Sequence, residues 1–325
     1  MARGNFDVMV TGVRQLTPRV REFLLRSADG SPLPEYTAGS HVALHTTSGE
    51  HGLILRHYSL IGGQGMHDDG RNTYRIAVQR EDHGRGSAHI HATFEEGTRL
   101  HIGPPVNNFP LGRSDPHVLL VAGGIGITPI FAMARSLQRR GRPYSLFYAG
   151  RSAEQMAYHD DVLALCGDRA RLHHSDRDGH ADMSALLQAQ PAGTVVYVCG
   201  PTRMIDATRE AAAQLGWSDD RVRSEMFGAG IAGQATPFTV HLRRSKRTVK
   251  VGADTSILDA LLAENVPLLW DCRRGECGLC PLPVVSADGH IEHHDRYLSP
   301  EERASGETLC LCVSRISGST LVLDA

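Results

Sequence analysis

Asp271-Cys272-Arg273-Arg274-Gly275-Glu276-Cys277-Gly278-Leu279-Cys280 sets three cysteines on one short loop, and a second pair, Cys310 and Cys312, follows near the C-terminus. C-x4-C-x2-C with a distant fourth thiolate is the plant-type spacing for a [2Fe-2S] cluster. Gly275 and Gly278 give the backbone the freedom to wrap a cluster without side-chain clashes. A structural zinc site pairs two short hooks, whereas here the first hook is too wide and the second is missing. The fourth ligand is open between two residues. Spacing favours Cys310, and on a strand Cys310 and Cys312 would point the same way, so direction does not choose. An iron–sulfur loop moves single electrons, and the rest of the chain has to supply them.

The 325 residues are enough for two or three cored domains. Hydrophobic and charged contents of 41% and 22% are globular values, and a net charge of −2 argues against a nucleic-acid partner. The run Arg243-Arg244-Ser245-Lys246-Arg247 reads as a solvated strand and turn. With no long apolar stretch and charges from Arg3 onward, the expectation is a cytoplasmic protein without membrane contact. Seven cysteines, clustered late in the chain, suit a metal site in a reducing compartment better than a disulfide framework. The histidines, among them His89, His91, His173, His174, His293 and His294, form no metalloprotease-type pair and read as packing or surface residues.

Up to residue 110 the pattern is one of short β-like runs: Asn5–Thr11, Val20–Arg26, His41–Thr46, Gly52–Leu60, Asn72–Gln79 and Thr98–Ile102. They predict a small antiparallel β-barrel. From 111 to 228 strands and helices alternate, which predicts an α/β domain with a parallel sheet. Residues 229–236 are small and glycine-rich, as a linker is. A hairpin (Phe238–Leu242, Thr248–Val251) and a helix (Ser256–Ala263) precede the cysteine loop in a domain expected to span 237–325. The fold class is thus multidomain.

Three further motifs carry chemistry. In Arg56-His57-Tyr58-Ser59-Leu60, strand alternation sets Arg56 and Tyr58 on one face, a cation beside a flat ring, which suits an anionic aromatic cofactor. Gly84-Arg85-Gly86-Ser87 opens a short helix and offers N–H groups to a phosphate. The strand Val118–Ala122 runs into Gly123-Gly124-Ile125-Gly126-Ile127-Thr128-Pro129, and a later strand ends at Cys199-Gly200-Pro201. Pro129 occupies the third glycine position of the dinucleotide fingerprint, so that motif does not match, yet both loops fall at the carboxyl edge of a parallel sheet, where ligands bind. Cys166, mid-helix without a motif, reads as a structural thiol.

With these motifs in this order the chain resembles, over essentially its full length, the phthalate dioxygenase reductase family, its vanillate O-demethylase oxidoreductase-like members by look the nearest. The resemblance implies a flavin-binding barrel, a pyridine-nucleotide domain of the ferredoxin-NADP reductase type and a β-grasp, plant-type ferredoxin domain of the α+β class. It implies that Arg56, His57, Tyr58 and Ser59 hold FMN, that Gly86 and Ser87 bind its phosphate, and that Thr128 and Phe227 lie near its ring. It places Gly123, Gly124 and Gly126 on the pyrophosphate and Cys199, with Gly200 and Pro201, at the nicotinamide. Cys312, standing in a Cys-Val-Ser-Arg string, becomes the fourth ligand beside Cys272, Cys277 and Cys280. The chemistry agrees: nicotinamide yields electrons in pairs, a cluster takes one, and a flavin between them does both. The lone Arg151 after Tyr148-Ala149-Gly150 favours NADH over NADPH. The expected acceptor is a Rieske-type terminal oxygenase or O-demethylase. A cytochrome P450, or a small molecule reduced without a partner, are the alternatives.

Overall fold

The computed structural model describes residues 4–48, 52–62, 72–81, 85–227, 236–253, 255–270, 275, 277–295 and 297–325. They fall into two compact units, Met1–Met226 and Phe227–Ala325.

The first unit begins with β1 (Phe6–Thr17), β2 (Val20–Ser27), β3 (Ser40–Ser48), β4 (Gly52–Ser59), β5 (Tyr74–Gln79), α1 (Arg85–Thr93), β6 (Arg99–Ile102) and β7 (Val106–Asn107). Every pairing is antiparallel, in the order β4-β3-β6-β1-β2-β5 with β7 on β3. Just past β4, the Ile61 N–H donates to the Arg75 carbonyl of β5 at 2.8 Å, so the two outer strands meet and the sheet curls into a barrel. Alternate residues such as Val8, Val10, Phe23, Leu25, Val42, Leu44, Ile76 and Val78 fill its interior. β1 runs six residues beyond the expected Thr11. Gly12 shifts the register against β2 without ending the strand, and a Cβ there would lie 3.2 Å from Leu24 Cδ1.

The same unit continues with β8 (Val118–Gly123), α2 (Ile127–Arg139), β9 (Tyr144–Gly150), α3 (His159–Cys166), β10 (Ala170–His174), α4 (Ser175–Asp178), α5 (Met183–Gln188), β11 (Val195–Cys199), α6 (Thr202–Gln214) and β12 (Val222–Glu225). The sheet is parallel, in the order β10-β9-β8-β11-β12. β8 and β11 are buried at every position, as strands covered on both faces are. From β8 the chain winds outward to β10, then returns to β11 on the other side, so the topological switch point lies between the ends of β8 and β11.

The second unit contains β13 (Phe238–Leu242), β14 (Arg247–Val251), α7 (Ile257–Ala263), β15 (Pro281–Ala287), β16 (Ile291–Glu292), α8 (Pro300–Ser305), β17 (Thr308–Cys310), β18 (Arg315–Ile316) and β19 (Thr320–Leu323). Its main sheet is ordered β14-β13-β19-β15-β17, with β13 and β19 parallel, the β-grasp arrangement. Ser256 caps α7 by accepting from the Asp259 N–H at 3.0 Å, and Ile257, Leu258 and Leu261 enter the core. Arg315 is also buried, donating to the carbonyls of Thr236, Gly252 and Thr255. The linker expected at 229–236 lies, apart from Thr236, outside the described residues.

Candidate electron-transfer site

The two glycine motifs meet at the switch point. After β8, Gly124–Gly126 form one tight turn that opens α2, with Gly124 at φ +54°. A Cβ at Gly126 would lie 2.2 Å from the Cys199 carbonyl oxygen, one at Gly123 2.7 Å from Pro201 Cδ, and one at Gly200 3.0 Å from Gly123 Cα. The loops therefore touch backbone to backbone. Cys199 is fully buried between Ala122 and Glu225, its register partners. Thr128, 2% exposed, donates its hydroxyl to the Ile125 carbonyl at 3.0 Å and braces the turn. Gly126→Ala is expected to push these loops apart at a cost of about 1–3 kcal/mol. A thermal melt and an NADH titration check this; wild-type values in both would refute the contact.

A cleft of about 1050 Å³ opens beside them. The turn Thr17–Val20 with Gln79 and Glu81 lines one wall, and Gly123, Gly124, Gly150, Arg151, Pro201, Arg203 and Met204 line the other. Glu225, which the sequence reading missed, ends β12 at this edge and is 1% exposed. Its signal was weak, because Arg223-Ser224-Glu225 does not look like a strand.

On β4, Arg56 pairs with Leu44 and Tyr58 with Val42, sharing one face, with Arg56 exposed and Tyr58 half-buried. Burial pushes the Tyr58 hydroxyl well above its ordinary pKa, so it stays a donor. His57 turns to the other face, its ring 5.2 Å from that of His41 and edge-on to it. Ser59 is 5% exposed, and its hydroxyl finds no hydrogen-bond partner among the described residues. A cation and a ring on one face of β4 fit a polar aromatic ligand such as a flavin, while the orphan Ser59 hydroxyl, by strand alternation, lies on the His57 face at the end of the strand. α1 packs on β4 and β5, and the Ser87 hydroxyl accepts from the Glu81 N–H at 3.0 Å, fixing the helix start. Gly86 is buried in the first turn, where N–H groups lack intrahelical partners. Gly84 lies outside the described residues.

In the second unit Cys280 lies against the Cys310–Cys312 segment. Cys280 Sγ and Cys312 Sγ are 3.3 Å apart. β17 ends at Cys310 and Leu311–Val313 turn, so the two cysteines do not share one strand and the condition under which both would point the same way is not met. Hydrogen bonding from Cys310, then from Cys312, holds the Cys280 thiol far below its ordinary pKa, favouring the thiolate that binds metal. Gly275 and Gly278 have φ of +73° and +71°, and a Cβ at Gly278 would lie 2.1 Å from Tyr297 Cε2. Cys277 is half-buried, and Cys272 lies outside the described residues. Soft thiolates on a glycine-built loop fit an iron–sulfur cluster.

An antiparallel barrel, a parallel sheet with a cleft at its switch point and a β-grasp unit with a cysteine loop are the architecture of an iron–sulfur flavoprotein reductase. Residues 240–317 match the 2Fe-2S iron-sulfur cluster binding domain, and 106–222 match the dimethylamine monooxygenase subunit DmmA-like N-terminal domain. The chain is 42% identical, over 98% of both chains, to the heme-dependent oxidative N-demethylase beta subunit of Ectopseudomonas mendocina (strain ymp). It is 34% identical to the vanillate O-demethylase oxidoreductase of Acinetobacter baylyi (strain ATCC 33305 / BD413 / ADP1), over 98% of this chain and 99% of that one. The solved phthalate dioxygenase reductase, described as a modular structure for electron transfer from pyridine nucleotides to [2Fe-2S], aligns with a TM-score of 0.83 at 31% identity, covering 99% of this chain and 98% of that one. The chain belongs to the phthalate dioxygenase reductase family. No helix among the described residues is long and apolar enough to cross a membrane.

Proposed function

We propose that this chain is the NADH-dependent reductase component of an oxygenase system, passing electrons through FMN and its own [2Fe-2S] cluster to a Rieske-type oxygenase or O-demethylase. The observation that carries the reading is the meeting of Gly126 and Cys199 at the switch point, in the same compact unit as the Arg56–Ser59 strand. We divide the chain up to the linker into a flavin barrel (1–110) and a nucleotide domain (111–228), whose end lies two residues beyond that of the compact unit at Met226. When bound, the flavin supplies a carrier that takes electrons in pairs and gives them up singly.

The residues have separate tasks. Arg56, Tyr58 and Ser59 hold the flavin while Gly86 and Ser87 take its phosphate, and the His57 side chain, turned toward His41, serves the strand. Gly123, Gly124 and Gly126 seat the pyrophosphate. Cys199, with Gly200 and Pro201, positions the nicotinamide, and Thr128 borders the flavin ring, whereas Phe227 begins the other compact unit. Cys272, Cys277, Cys280 and Cys312 hold the cluster. Arg56→Ala is expected to weaken flavin binding about 10- to 100-fold, since a charge-assisted hydrogen bond contributes roughly 1.5–3 kcal/mol. Full flavin content in the purified variant would count against the site.

The purified chain should reduce cytochrome c with NADH and, in stopped flow, reduce a Rieske oxygenase. NADH-driven turnover of a small molecule with no partner present would sink the relay. A haem-containing acceptor is the second reading, favoured by the 42% identical relative, a subunit of a heme-dependent N-demethylase. Mixing the reduced chain with each oxygenase type and following the Rieske and haem absorption separates the two.

A further inference from the structure

Tyr158 belongs to none of the motifs above, yet it joins the two halves of the first unit. It precedes α3 with φ +61°, a left-handed conformation that a tyrosine holds only when its surroundings enforce it, and it is 2% exposed. Its hydroxyl donates to Glu22 Oε2 of β2 at 2.6 Å, and Glu22 is itself 4% exposed, with Arg75 Nε of β5 3.6 Å from the same oxygen. Burial and the facing carboxylate raise the Tyr158 hydroxyl well above its ordinary pKa, so it remains a donor. On the nucleotide side, its ring stacks on Phe131 of α2 at 5.4 Å, three residues beyond Thr128. The preceding carbonyl, of Ala157, receives the Tyr148 hydroxyl at 3.1 Å, and the same hydroxyl reaches the Gly124 carbonyl at 3.2 Å. Outside this core, Arg14 of β1 pairs with Asp161 of α3 at 2.9 Å.

A continuous chain of buried contacts thus runs from the barrel wall to the glycine loop. We propose that the Tyr158–Glu22 hydrogen bond is a positioning device that fixes the separation between the nucleotide loop and the flavin-bearing barrel, and thereby sets the rate of hydride transfer. This rests on the reading of the cleft as the NADH site. With both groups bound, NADH would supply a hydride, leaving NAD+, and the flavin would accept it together with one proton from solvent. Tyr158 and Glu22 exchange no atoms with either partner and act only on distance.

The test is anaerobic stopped-flow reduction of the flavin by NADH in the loaded, full-length chain. Tyr158→Phe keeps the ring stack and loses the donor. It should lower the limiting rate about tenfold, as expected for a small misplacement of reacting groups, with the Kd for NADH and the flavin content unchanged. Glu22→Gln, which keeps an acceptor, should recover most of that rate. Glu22→Ala should match Tyr158→Phe, and the double variant should be no slower than either single one, because only one contact is being removed. A wild-type limiting rate in Tyr158→Phe, or additive losses in the double variant, overturns the proposal. If NADH fails to reduce the flavin of the unaltered chain, the site reading falls first, and the result differs visibly from a failure confined to the variants.

Discussion

Cys312→Ala is expected to leave the protein without its cluster, with iron content near background and no EPR signal after reduction, while Cys310→Ala keeps both. Both thiols reach Cys280, but Cys310 is locked in the ladder against Pro281 whereas Cys312 sits in the turn that follows. A turn residue can swing its sulfur to an iron more readily than one pinned by strand hydrogen bonds. Flavin reduction by NADH should survive in both variants, because the strand and glycine loops proposed to hold flavin and nucleotide lie in the other compact unit. Cytochrome c reduction should fall to background in Cys312→Ala alone. Normal iron in Cys312→Ala with loss in Cys310→Ala would reverse the assignment.

Cys199→Ala should slow hydride transfer to the flavin by about 10- to 100-fold at saturating NADH, the range expected when a reacting ring is misplaced by a fraction of an ångström to an ångström. The thiol is fully buried at the end of β11, with its backbone carbonyl against Gly126. Removing the sulfur leaves that backbone contact intact, so the melting temperature should change little and the cluster not at all. Stopped-flow flavin reduction decides the matter: an unchanged rate removes Cys199 from the site.

Much of this arrangement is legible in the sequence, for identifiable reasons. Val118–Ala122 announces a central parallel strand because both its faces are buried, and the glycines after it announce a backbone that must approach something closely. The cysteine loop is legible because metal spacing is a local property. β12 is not, because Arg223-Ser224-Glu225 carries an edge strand's polarity, and Pro281 and Pro283 disguise β15 in the same way. Cys310 and Cys312 were ambiguous because the end of β17 is set by tertiary packing. Tyr158 and Glu22, 136 residues apart, form a pair with no local signature at all.

The burial of the thiols also bears on their reactivity toward alkylating reagents. Among the described cysteines, Cys166, Cys199, Cys280, Cys310 and Cys312 are buried and Cys277 alone is partly open to solvent. In folded, cluster-free protein, a small alkylating probe should therefore label the 272–280 loop first, and iron bound there should protect it. Mass shifts on that one peptide would then report, molecule by molecule, how much of a preparation is competent to pass an electron onward.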